Sequence, residues 1–125
     1  MNKKNLNTLK LYEKSSYSPY SKYKVVAMLF ANSGNVYMGV NVENASYSLT
    51  MCAERIALFS AITNKERHFE KIIIFARGKN LPHPCGSCLQ ALSEFAGEKF
   101  KIIVTNGIKE EERNLSDYLP NRFVL

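Results

Sequence analysis

Two periodicities of apolar residues run through the chain. From Asn5 to Ser16, Leu6, Leu9 and Tyr12 recur every three residues with lysines between them, which predicts a short amphipathic helix ended by Ser15-Ser16-Tyr17-Ser18-Pro19-Tyr20. Val25 to Phe30 and Val36 to Val42 are apolar runs separated by the turn-forming Asn32-Ser33-Gly34-Asn35, so the pair predicts a β-hairpin. Beyond Thr50, whose hydroxyl suits an N-cap, Ile56, Ala57, Leu58, Phe59, Ala61 and Ile62 leave almost no polar face up to Asn64. A helix with that composition belongs in the centre of a fold, covered on most sides.

The second half repeats the alternation of strand and helix. Lys71 to Phe75 contains Ile72-Ile73-Ile74, a β-branched run of the kind covered on both faces. After a loop from Gly78 to Pro84, Cys88, Ala91, Leu92 and Phe95 fall at i, i+3, i+4 and i+7 and predict a core-facing helix over Cys85 to Phe95, stopped by Gly97. Phe100 to Thr105 predicts a strand, Asn106-Gly107 a tight turn, and Ile108 to Arg113 a charged edge strand pairing back. A last short helix around Ser116 to Leu119 ends at Pro120. Strands alternating with helices imply an α/β layered domain with a mixed sheet.

At 125 residues the chain has the size of one domain, residues 1–125, able to bury a core without disulfides. The polar N-terminus Met1-Asn2-Lys3-Lys4-Asn5 and the lack of a long apolar run predict a cytoplasmic protein with no membrane partner. A net charge of +6 raises the question of nucleic acid, and Lys3, Lys4, Lys10, Lys14, Lys22 and Lys24 do interleave with tyrosines near the N-terminus. Elsewhere the lysines are scattered, so a solvated helix face followed by a tyrosine-rich turn is the simpler account.

The cysteines change the picture most. Three of them, Cys52, Cys85 and Cys88, cannot pair off, which favours a metal or catalytic role over a disulfide framework. Cys85-Gly86-Ser87-Cys88 follows Pro84 at a predicted helix start, so its two sulfurs lie one turn apart on one face. Cys52 also sits at a predicted helix start, and helix N-termini favour thiolates. Were the two N-termini to converge, three thiolates would meet and suit a zinc ion with a fourth position left for water. Arg55 is then a cation placed to offset the excess negative charge, and Glu54 a carboxylate able to move protons near the metal without binding it. Helical spacing alone puts Glu54 about 200° from Cys52, so only an irregular first turn would bring them together. Two other readings stand beside this one: a structural Cys₃His zinc with His83 as fourth ligand, and a redox C-x-x-C pair.

Taken together, Asn41-Val42-Glu43-Asn44-Ala45-Ser46-Tyr47, Cys52-Ala53-Glu54-Arg55 and Pro84-Cys85-Gly86-Ser87-Cys88 resemble the small homotetrameric cytidine deaminases of pyrimidine salvage, over about residues 17–123. The resemblance implies a three-layer α/β/α domain with a mixed sheet of about five strands. It implies one Zn²⁺ per subunit on Cys52, Cys85 and Cys88, and hydrolytic deamination of cytidine and 2'-deoxycytidine. A zinc-activated water would attack C4, and Glu54 would carry protons to N3 and to the departing amino group. Asn41 and Glu43 match the family's ribose-binding pair, consistent with residues two apart on a strand pointing to one side. Tyr23, Tyr47 and Ala53 match the pocket, and Phe123 matches an aromatic ring passed to a neighbouring subunit of a homotetramer. A deaminase of another cytosine-containing substrate is the nearest alternative. Val26, Met28 and Leu89 depart from the family pattern, where a glycine, a small residue and an arginine are usual, and bear on the pocket floor and subunit contacts.

Overall fold

The computed structural model describes residues 1–125. Helix α1 (Lys3–Tyr12) is followed by the hairpin β1 (Val26–Ala31) and β2 (Val36–Val40), then α2 (Ala53–Thr63), β3 (Phe69–Phe75), α3 (Gly86–Ser93), β4 (Ala96–Thr105), β5 (Glu110–Asn114) and the one-turn α4 (Leu115–Tyr118). The strands form one mixed sheet in the order β2-β1-β3-β4-β5, with β3 and β4 parallel and every other pair antiparallel. The parallel pair needs a crossover, and α3 supplies it.

Alternation along the strands divides the apolar residues between two faces. Ala27, Leu29, Ile72, Ile74, Ile102 and Val104 pack beneath α2 and α3, whereas Val26, Met28, Ile73, Phe75 and Ile103 meet Leu9 of α1 on the other side. The expected three layers follow directly. Val26 and Met28 therefore shape the packing under α1 and not a pocket floor beneath α2, and Leu89 is buried in the core on the α3 side. No helix is long and apolar enough to cross a membrane.

Several boundaries differ from expectation. Helix α1 starts earlier, because the Asn2 side chain accepts from the Asn5 N–H at 2.8 Å and caps it. Thr50 is not the cap of α2; its hydroxyl accepts from the Asn44 N–H at 3.2 Å, and Cys52 occupies the N-cap with extended backbone angles. Gly97 does not stop α3, which ends at Ser93; it lies inside β4, which begins at Ala96. The edge strand is Glu110–Asn114 and not Ile108 to Arg113, since the Asn106 side chain accepts from the N–H groups of Ile108 and Lys109 and holds them in the turn.

Helix α2 lies very close to the hairpin. A Cβ on Gly39 would stand 2.2 Å from the Ala53 carbonyl oxygen and 2.5 Å from the Ala57 nitrogen, both backbone atoms. Ala53, Ala57 and Ala61, four residues apart, form the small-residue stripe that permits this approach, and all three are buried. Gly39→Ala should therefore push α2 outward and destabilise the chain by about 1–3 kcal/mol, measured by denaturant unfolding; an unchanged midpoint would mean that α2 is free to shift.

Candidate active site

The first turns of α2 and α3 converge on one end of the sheet. Cys52 is the N-cap of α2 and Cys85 the N-cap of α3, where its Sγ accepts from the Cys88 N–H at 3.5 Å. The extended backbone of an N-cap breaks the helical phase, which explains why Cys52 and Glu54 face the same cavity despite their spacing. Cys88 lies one turn into α3, completely buried, on the same side as Cys85.

The three Sγ atoms lie within 4.8 Å of one another, and those of Cys52 and Cys85 are 3.9 Å apart. Zinc–thiolate bonds of ~2.3 Å in a tetrahedron require sulfur separations of about 3.8 Å, so the thiols fit one zinc ion with little movement. Arg55 donates from Nη2 to Cys52 Sγ at 3.6 Å, while its Nε is buried without a partner. The Cys52 thiol is lowered to about 5, first by the hydrogen bond with Cys88 and then, against burial, by Arg55 and Cys85; the Cys88 thiol is raised by the same shared bond and by burial. Of the two, Cys52 is therefore the thiol that gives up its proton more readily, and binding a metal on the three sulfurs displaces their protons. His83 is not part of this group. Its Nδ1 is 3.0 Å from the Tyr118 hydroxyl.

A cavity of about 420 Å³ opens beside the thiols, with Tyr23, Val25, Asn41, Glu43, Ala53 and Glu54 among its walls. Glu54 is 5 % exposed, and burial foremost, then the charge on Cys52, raises its carboxyl above the usual range. A carboxyl in that setting holds a proton more readily and can act as acid as well as base. Tyr23 is raised by partial burial and by Glu54. Ala53 is the first residue of α2, and its N–H belongs to the turn whose donors have no partner within the helix.

Asn41 and Glu43 lie just past the end of β2. Reciprocal backbone bonds between Val42 and Met51, with the Tyr17 N–H donating to the Asn41 carbonyl and the Glu43 N–H to the Tyr17 carbonyl, keep the segment extended, so both residues still line the cavity. The Asn41 side chain accepts from the Val25 N–H at 3.0 Å and the Ser16 hydroxyl at 2.5 Å and donates to the Tyr23 carbonyl at 2.7 Å. Glu43 accepts from the N–H groups of Tyr20 and Ser21 at 3.0 and 3.1 Å and from the Ser21 hydroxyl, and that hydroxyl first of all holds its carboxylate below the usual range. Each side chain thus anchors the 16–25 segment in addition to facing the cavity.

Of the residues expected in the pocket, Tyr47 lies elsewhere, and Phe123, expected to reach a neighbouring subunit, lies outside this chain's own cavity. Tyr47 is 79 % exposed in a neighbouring shallow groove, edge-on to Tyr20, and Phe123 is 68 % exposed, its backbone held by both ends of the Gln90 side-chain amide at 3.0 and 3.1 Å. The cavity also gains Leu81, Pro82 and His83 as walls, none of which the sequence singled out as substrate contacts. The only signal for them was their position immediately before Pro84-Cys85.

Arg55→Gln should lower zinc affinity by about 10- to 100-fold, because the cation that offsets the thiolates is lost while all ligands remain. Competition with a chromogenic chelator measures this, and an unchanged affinity would remove Arg55 from the metal's support.

Comparison with known proteins agrees with this geometry. Residues 1–104 match the model of the cytidine and deoxycytidylate deaminase zinc-binding region. The chain is 38 % identical over 109 residues to a cytidine deaminase of Sporosarcina psychrophila, covering 86 % of this chain and 80 % of that protein. It is 34 % identical over 120 residues to the cytidine deaminase of Mycoplasma genitalium, covering 94 % and 92 % of the two chains. The crystal structure of cytidine deaminase from Burkholderia pseudomallei superposes with a TM-score of 0.90 at 37 % identity, over 98 % of this chain and all of the other. With its three thiols gathered for one zinc ion and a buried carboxyl beside them, this chain belongs to the zinc-dependent cytidine and deoxycytidylate deaminase family.

Proposed function

We propose that the protein deaminates cytidine and 2'-deoxycytidine to uridine and 2'-deoxyuridine with release of ammonia. The observation that carries this reading is the buried Glu54 carboxyl sharing one cavity with Cys52, Cys85, Asn41 and Glu43. Cys52, Cys85 and Cys88 would hold the zinc ion, which when bound would supply the Lewis acidity that makes a water nucleophilic near neutral pH. Glu54 takes the proton that this water gives up and delivers it to N3 of the pyrimidine, which makes C4 electrophilic. The water oxygen adds at C4 as a hydroxyl; Glu54 then takes that hydroxyl's proton and passes it to the exocyclic nitrogen, the C4–N bond breaks as the C4 carbonyl forms, and ammonia departs.

Asn41 and Glu43 are the proposed sugar contacts. Glu43 accepts three bonds from the 20–21 turn and, being ionised well below neutral pH, keeps acceptor capacity for a ribose hydroxyl. Tyr23 and the Ala53 N–H line the base end. The arrangement of residues 1–125 around a single sheet supports one domain, and three free thiols support a reducing, cytoplasmic setting. We assign the exposed Tyr47 and Phe123 to contacts between subunits of a homotetramer, where Phe123 would reach a neighbour's cavity; their exposure in the single chain supports this. Sedimentation of a species four times the chain mass, together with a raised KM for Phe123→Ala, is the expected result.

Ammonia release from cytidine, cytosine, adenosine and a cytosine-containing oligonucleotide tests the reaction, with release from cytidine expected. Glu54→Gln should keep its zinc and lose about 10²- to 10⁴-fold in turnover, because only the proton carrier is removed. Absence of turnover on cytidine by the zinc-loaded chain would overturn the assignment.

A further inference from the structure

His83 sits on the rim of the cavity beside Cys85, exposed, yet its position is constrained from four directions. Its N–H donates to the Leu81 carbonyl at 2.9 Å, closing a three-residue turn around Pro82. Pro82 and Pro84 are both buried; the first has a fixed φ, and the second confines His83 to extended backbone. The ring's Nδ1 meets the Tyr118 hydroxyl at 3.0 Å, with ring centroids 5.7 Å apart. Tyr118 is in turn covered by the Arg113 guanidinium, 5.7 Å from its ring, and Arg113 is paired with Glu111 at 2.7 Å. A chain of contacts therefore runs from β5 through α4 to the cavity wall.

An exposed imidazole ordinarily samples several rotamers, and each restraint on it costs conformational entropy. Here the restraints leave one nitrogen without a partner inside the chain. His83 is among the residues that line the cavity and Tyr118, which takes Nδ1, is not; Nε2 has no partner within the chain and is the ring atom left for a ligand.

We propose that His83 is a substrate-positioning residue, its Nε2 hydrogen-bonding the bound nucleoside through a group common to substrate and product, and that Tyr118 positions it through Nδ1. The proposal rests on the nucleoside reading above. A contact made equally to ground state and transition state changes KM and leaves kcat in place.

The substitutions separate the two nitrogens. Asn at this position keeps an atom near that of Nδ1 and removes Nε2, whereas Tyr118→Phe removes only the hydroxyl that orients the ring. With zinc-loaded chains, His83→Asn and His83→Ala should each raise KM for cytidine and Kd for uridine, read by calorimetry, by about tenfold, with kcat within twofold. Zinc should stay at one per chain by elemental analysis. Tyr118→Phe should raise both constants by a smaller factor and add nothing once His83 is Ala, as expected for residues acting as one unit.

An unchanged KM in His83→Asn would overturn the proposal, and so would independent, additive effects of the two sites. Loss of zinc in His83→Ala would make the histidine a metal ligand instead. A parent chain that neither turns over cytidine nor binds uridine overturns the nucleoside reading and this one with it; a parent that does both, with His83→Asn unaltered, overturns this one alone.

Discussion

The approach of α2 to the hairpin at Gly39 is the constraint on which the site depends. With backbone atoms of Ala53 and Ala57 within about a bond length or two of where a Cβ would stand, no other residue fits at position 39 without moving the helix. The alanine stripe on α2 and the glycine on β2 are complementary shapes, and their contact sets the height of α2 above the sheet. Since Cys52 and Glu54 are the N-cap and second residue of that helix, the same contact sets where a thiolate and a proton carrier stand.

Around that fixed point the chain brings together donors of different origin. Two helix N-termini, each starting at a cysteine, meet at one end of the sheet, where their unpaired N–H groups and dipoles favour negative sulfur. Three thiolates in one place would repel, and Arg55 offsets part of that repulsion from within the cluster, with its Nε left buried and unpartnered. Glu54 responds in the opposite sense to its surroundings: burial and the nearby thiolate charge oppose its ionisation, which suits a group that must both accept and give a proton. Removing water from the site tunes both groups.

Besides the first turn of α2 and Ile74 of β3, the cavity walls come from segments without regular structure, and three of these are stiffened by specific devices. The 41–43 strip is held extended between Tyr17 and Met51, the 19–22 turn is gathered by the Glu43 carboxylate, and the 81–84 strip is held by two prolines and by Tyr118. Loops built this way can carry chemistry because their side chains do not have to find their positions anew when a ligand arrives.

Much of this was legible in the residues themselves. Local periodicity determined the helices and strands, the alternation of Ile72, Ile73 and Ile74 determined a sheet covered on both faces, and the three unpaired cysteines narrowed the chemistry to zinc or thiol redox, with the longer motifs around them resembling a deaminase. These are properties of short stretches, where side-chain pattern and spacing suffice. The helix ends at Thr50 and Gly97 do not follow local pattern, because a cap depends on what the neighbouring loop offers: Asn44 claims the threonine, and β4 absorbs the glycine. The side of the sheet to which Val26 and Met28 belong, the convergence of Cys52 with Cys85 and Cys88, the placement of Tyr47 outside the cavity, and the engagement of His83 by Tyr118 rather than by the thiols were decided only in three dimensions. Each of them joins residues far apart in the chain or depends on strand register, and no local pattern carries that information.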